Sequence, residues 1–140
     1  MATVECITGR APSRLLPVTT SPIENRIGQV FIPVRNMARS ARWYATLLGL
    51  PEAEPTHNAT IYDLPTTGET RLALDANRPA FDTSGPPRFF FWTTDMAATV
   101  SFLRDLGVTF DSEVQDIGSV MFLQFRDPDG NPLMVCQRTA

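Results

Sequence analysis

The sequence predicts an α+β fold built from two tandem βαβββ modules. Three observations carry that expectation. Residues 88–107, RFFFWTTDMAATVSFLRDLG, read as one strand feeding one helix. Residues 29–49, QVFIPVRNMARSARWYATLLG, have the same construction. Short β-rich runs around turn residues follow each of them, the signature of hairpins rather than of further helices.

The two stretches superpose at an offset of 59 residues, the step from Asn36 to Asp95. Val30, Ile32 and Val34 then fall on Phe89, Phe91 and Thr93. Met37 falls on Met96, Trp43 on Phe102 and Leu47 on Leu106. The helix stripe is Met96, Val100, Leu103 and Leu106, steps that keep one apolar face on a 3.6-residue period. Asn36 and Asp95 have short side-chain oxygens that accept the orphan N–H groups of a helix start. Gly49 and Gly107 stand where a helix stops in the left-handed region.

In order, the first strand is expected at 27–34 and the first helix at 36–48. A hairpin of 58–64 and 70–77 turns at Thr66-Thr67-Gly68-Glu69. An edge strand fits 52–56, since Pro51 and Pro55 bar a central one. Residues 78–87, with Pro79, Gly85, Pro86 and Pro87, form a linker. The second module has strands at 88–94, 108–114, 119–125 and 133–137. Its turns are 116–118 and Asp127-Pro128-Asp129-Gly130. Module one is thus 27–77 and module two 88–138, inside one domain of 26–138. Residues 1–25 have no apolar period and are expected to be a mobile arm.

A chain of 140 residues buries about two-thirds of its unfolded surface, enough to fold without a metal or a disulfide. A net charge of −3 argues against nucleic acid, which requires a basic face. No apolar run reaches the roughly 18 residues of a membrane span, and no signal-peptide pattern opens the chain. Cys6 and Cys136 match no metal or redox spacing, and a cytoplasmic setting is expected.

The two modules, the SARWYATLLG pattern at 40–49 and the closing FRDPDGNPLMV together resemble the vicinal-oxygen-chelate superfamily of glyoxalases, bleomycin-resistance proteins and extradiol dioxygenases. The resemblance covers 27–138. It implies a mixed or antiparallel sheet curled around a cleft that holds a small molecule, and often a homodimer. It also implies four metal-ligand positions, which fall here on Gln29, Ala73 (or Leu72 or Leu74, one residue either side), Arg88 and Met134. Divalent metals select imidazole, carboxylate or thiolate, and a guanidinium repels them. No metal and no cofactor is therefore expected.

Strand parity supplies a cleft lining instead. Gln29, Phe31, Tyr62, Asp75, Arg88, Phe90, Trp92, Phe122, Gln124 and Met134 are the candidate ligand-binding residues. Five are aromatic, which suits a flat or amphipathic ligand. Arg88 is expected either to clamp an anion bidentately or to pair with Asp75. His57, the only histidine, and Asp75 are candidate general bases. Cys136 is expected to be a buried thiol, and Arg39, Arg42, Arg104 and Asp105 to be solvated. The favoured function is metal-free binding of a small aromatic or amphipathic molecule. Its alternatives are a metal-dependent lyase or dioxygenase of the glyoxalase type and a metal-free isomerase.

Overall fold

A computed structural model describes residues 20–51, 55, 60–78 and 80–139. Module one contains β1 (Gln29–Pro33), α1 (Met37–Leu48), β2 (Ile61–Leu64) and β3 (Arg71–Asp75). Module two contains β4 (Phe91–Trp92), α2 (Met96–Leu106), β5 (Gln115–Asp116), β6 (Val120–Arg126) and β7 (Pro132–Arg138). They form two mixed sheets, ordered β1-β3-β2 and β4-β7-β6-β5. In each, the first strand of the module runs parallel to its last, and the last two strands are antiparallel. The repeat in the sequence is a repeat in topology, and the fold is α+β. The expected edge strand lies almost wholly outside the described residues, as do His57, the first two residues of the 58–64 run and most of the 1–25 arm.

Both helices begin and end as their flanking residues dictate. Asn36 accepts the Arg39 N–H at 3.0 Å, and Asp95 accepts the Ala98 N–H at 3.0 Å. Gly49 and Gly107 take φ values of 66° and 81°, and their N–H groups bond carbonyls of the last turn. Positive φ costs an L residue energy that glycine avoids. Helix α1 buries Ser40, Ala41, Tyr44 and Ala45. Three of these are small, so the helix lies close on β2 and β3. Helix α2 buries Met96 and Leu103.

One apolar core runs through both modules. Ile32, Leu64, Leu72 and Leu74 of the first sheet join Leu123, Phe125, Leu133 and Val135 of the second. Each such side chain contributes about 1.5–3 kcal/mol when fully buried.

The Asp127–Asn131 turn ties module two to module one. The Asp127 carboxylate accepts the Tyr44 hydroxyl at 2.6 Å, the backbone N–H groups of Asp129 and Asn131, and the Asn131 amide at 2.8 Å. Asp129 holds Arg39 at 2.7 Å and Arg35 at 3.4 Å. The Asn131 amide also donates to the Pro33 carbonyl at 2.9 Å. All three turn side chains are buried, and the partners satisfy them, as burial of charge requires. Arg39 is therefore a turn-holding residue and not the freely solvated charge its helix position predicts.

Two strands differ from the sequence-based expectation. β4 is two residues long, not seven. Pairing is confined to Phe91 and Trp92, opposite Val135 and Cys136, and one further bond runs from the Thr93 N–H to the Cys136 carbonyl at 2.9 Å. Residues 108–114 contribute a single bridge, Phe110 to Phe125. At the next step the Ser112 hydroxyl takes the Gln124 N–H at 3.1 Å, so a side chain replaces the ladder there. Pairing resumes as β5 at Gln115–Asp116, within and beside the expected turn.

Candidate functional site

Strand register decides which side chains share a face, because directly paired residues project to the same side. In module one Val30 lies beside Leu72 and Ile32 beside Leu74, all facing the core. Phe31 lies beside Ala73 and Pro33 beside Asp75, on the opposite, open face. In module two Phe91, Leu123 and Phe125 share the core side with Val135 and Leu133. Trp92, Phe122, Gln124, Met134 and Cys136 share the open side.

Tyr62 is a correction. It pairs with Leu74 and packs against the core. The side chains of β2 on the open face are Ile61 and Asp63, opposite Asp75 and Ala73. Pairing of Tyr62 with the core residue Leu74 puts its side chain on the core face, and a one-residue slip would exchange the faces of the whole strand.

The open face of module two carries an aromatic strip. Phe90 is 40% and Trp92 50% exposed, and their rings meet edge to face at 4.8 Å. The Arg138 guanidinium lies 3.7 Å from the centre of the Trp92 ring, within cation–π range. Sequence reasoning missed Arg138 because it ended the last strand at Gln137. The period-two step from Cys136 was the signal that would have found it. Beside Trp92, burial pushes the Cys136 thiol above its ordinary pKa, which keeps it protonated and unreactive.

The open face of module one is more polar. The Gln29 amide donates to Asp63 at 2.6 Å. Phe31 is 52% exposed.

A cavity of about 310 Å³ lies between β1, the 78–89 segment and the start of β7. Phe31, Phe81, Phe89 and Pro33 supply its apolar walls, with Asp75 and Arg88 among its polar groups. The expected single cleft is thus two places. Phe31, Asp75 and Arg88 line the cavity. Phe90, Trp92, Phe122, Gln124 and Met134 belong to module two and do not line it, and neither do Gln29 and Tyr62.

The expected ion pair of Arg88 with Asp75 is also corrected. Asp75 accepts the Asn77 N–H at 2.8 Å and the Arg78 guanidinium at 3.2 Å. Arg78 is three residues away on the same chain segment, so little loop entropy opposes that pair. Among the described residues Arg88 makes no ion pair within 4.0 Å.

The four positions that the resemblance assigns to metal ligands carry residues that do not suit a divalent ion. The Gln29 amide is engaged by Asp63. Ala73 offers a buried methyl, Arg88 a cation and Met134 a thioether. Imidazole, carboxylate or thiolate is what such an ion selects. Among the described residues no three His, Cys, Asp or Glu side chains are grouped to share a metal.

Comparison with known proteins places the chain. A family model, the Glyoxalase/Bleomycin resistance protein/Dioxygenase superfamily, matches residues 26–135. Among solved structures, TnmS3, an antibiotic binding protein from Streptomyces, is 21% identical with a TM-score of 0.67, over 86% of this chain and 100% of that one. The oxidase ChaP-H1 is 18% identical with a TM-score of 0.63, over 82% and 97%. A glyoxalase/bleomycin resistance protein from Catenulispora acidiphila is 22% identical with a TM-score of 0.56, over 78% and 95%. Likeness at that level is a likeness of fold, and fold does not fix chemistry. No curated protein matches the chain. With the family match spanning both modules and the paired sheets repeating one topology, this chain belongs to the Glyoxalase/Bleomycin resistance protein/Dioxygenase superfamily.

Proposed function

We propose that the chain binds a small flat or amphipathic molecule, and does so without a catalytic divalent metal. The observation that carries this reading is the exposed strip of Phe90 and Trp92 with Arg138 stacked on the indole. Rings held edge to face present both a wall and a face to a planar ligand. Phe122, Gln124 and Met134 continue the same sheet face and extend the contact. An amide, a methyl, a guanidinium and a thioether at the four ligand positions favour stacking and shape over Lewis-acid chemistry. The antibiotic binding protein TnmS3 shares the fold, which adds weight to a binding role.

A homodimer belongs to the same reading. Phe31, Ile61, Phe90 and Trp92 are large apolar side chains left open in one chain, and a second copy laid over these faces would enclose the ligand. The test is a thermal-shift screen of planar aromatic compounds, with metal analysis of the purified protein. We expect a compound that raises Tm in wild type and not in Trp92→Ala, with well under one metal ion per chain. Equal stabilisation of both proteins would remove Trp92 from the site. Stoichiometric metal, with binding lost on chelation, would overturn the metal-free reading.

A further inference from the structure

The cavity between the modules has a chemistry of its own. Its 310 Å³ falls at the small end of ligand pockets, about 300–1,000 Å³. Phe81 and Phe89 face it from the 78–89 segment, and Phe31 and Pro33 of β1 stand on its wall. Its polar groups are nearly all engaged within the protein. Asp75 is held by Asn77 and Arg78. Asp82 accepts the Ser84 N–H at 2.8 Å and the Ser84 hydroxyl at 2.7 Å. The Asn131 amide is shared between Pro33 and Asp127. Arg88 is the exception, a guanidinium at the lining with no carboxylate within 4.0 Å among the described residues. Ser84's hydroxyl, then its N–H, and more weakly the charge of Arg88, hold the Asp82 carboxyl below its usual range.

We propose that this cavity is a binding site for a small aryl carboxylate, with Arg88 taking the carboxylate and the phenylalanine walls taking the ring. A free guanidinium matches a carboxylate bidentately. Of the two nearby carboxylates, Asp75 is neutralised by Arg78, while Asp82 is bonded only to Ser84 and keeps a charge that competes with a bound carboxylate. The site shares with the preceding reading only the premise that the chain binds small molecules. Phe90, Trp92 and Phe122 do not line it.

Isothermal titration of the full chain with benzoate and its uncharged analogue benzamide tests the assignment. Wild type should bind benzoate saturably and benzamide about tenfold more weakly, the loss of one charge-assisted contact. Arg88→Ala should weaken benzoate by about tenfold and leave benzamide unchanged, since only the charged contact is lost. Asp82→Asn should tighten benzoate by about two- to threefold by removing a competing negative charge. Trp92→Ala should leave benzoate unchanged. The proposal is overturned by absence of saturable benzoate binding, by equal affinity for the two compounds, or by an Arg88→Ala variant that binds benzoate as well as wild type. If Trp92→Ala abolishes benzoate binding while Arg88→Ala retains it, the cavity assignment falls and the aromatic-face reading stands.

Discussion

The two modules are alike on one face and unlike on the other. Their core faces are interchangeable in kind: Ile32, Leu72 and Leu74 in the first, Phe91, Val135 and Leu133 in the second. Their open faces are not. Module one presents Gln29 bonded to Asp63, with Phe31 and Ile61 exposed. Module two presents a continuous strip from Phe90 through Trp92 to Arg138. Packing constrains the first face, because interiors tolerate little change in volume. On the second, Ala73 and Cys136 are packed, but Phe31, Phe90 and Trp92 are 40% exposed or more and escape that constraint. The turns diverge in the same way. Thr66-Thr67-Gly68-Glu69 is exposed apart from Thr66, whereas Asp127, Asp129 and Asn131 are buried and reach into module one.

The largest effect should separate the two turns. Asp127→Ala removes the acceptor of four donors, three of them from a buried turn. Urea denaturation should show a loss of about 3–5 kcal/mol, because several buried neutral donors are left unpaired at about 1–3 kcal/mol each. Glu69→Ala in the module-one turn should stay within about 0.5 kcal/mol of wild type. Equal losses would mean that the turns do the same work.

Core faces and open faces should differ next in what their side chains contribute to stability. Leu74→Ala and Leu133→Ala should each cost about 2–5 kcal/mol. Phe31→Ala should stay within about 0.5 kcal/mol, and Trp92→Ala should cost about 1 kcal/mol, the worth of its contacts with Phe90 and Arg138. A Trp92→Ala loss as large as that of Leu133→Ala would place Trp92 in the core and end its role as a ligand surface.

The smallest effect concerns Tyr44, which links α1 of module one to the turn of module two. Burial, then the charge of Asp127 and its hydrogen bond, then Asp129, hold the Tyr44 phenol well above its ordinary pKa. Tyr44→Phe should cost about 1–3 kcal/mol by leaving Asp127 short of a donor. The sign with pH follows from linkage. A raised pKa in the folded state stabilises fully below the unfolded value, about 10. That contribution is lost as pH rises past it, because only the unfolded chain then releases the proton. Wild type should lose stability between pH 10 and higher values, and Tyr44→Phe should lack that part of the decline.

Most of the fold was legible locally. Asn36 and Asp95 cap the helices, Gly49 and Gly107 end them, and the alternation around Ile32 and Phe91 names their core face. These signals act within a few residues, over distances that covalent geometry controls. Less of the candidate site was legible. Phe31, Trp92, Phe122 and Met134 follow from parity on strands whose neighbours fix the period. Tyr62 did not, because its face depends on how β2 is registered against β3. Arg138 was passed over because the strand runs one residue further than its composition announces.

Sequence alone determined the doubled module and its helix boundaries, since each rests on residue type or on neighbours along the chain. Tertiary structure decided the partner of Asp75, the split of one expected cleft into a cavity and an open strip, and the bond from Tyr44 to Asp127 across 83 residues. Those depend on which of many possible long-range contacts the folded chain selects. Only the packed core, satisfying its buried charges all at once, makes that selection.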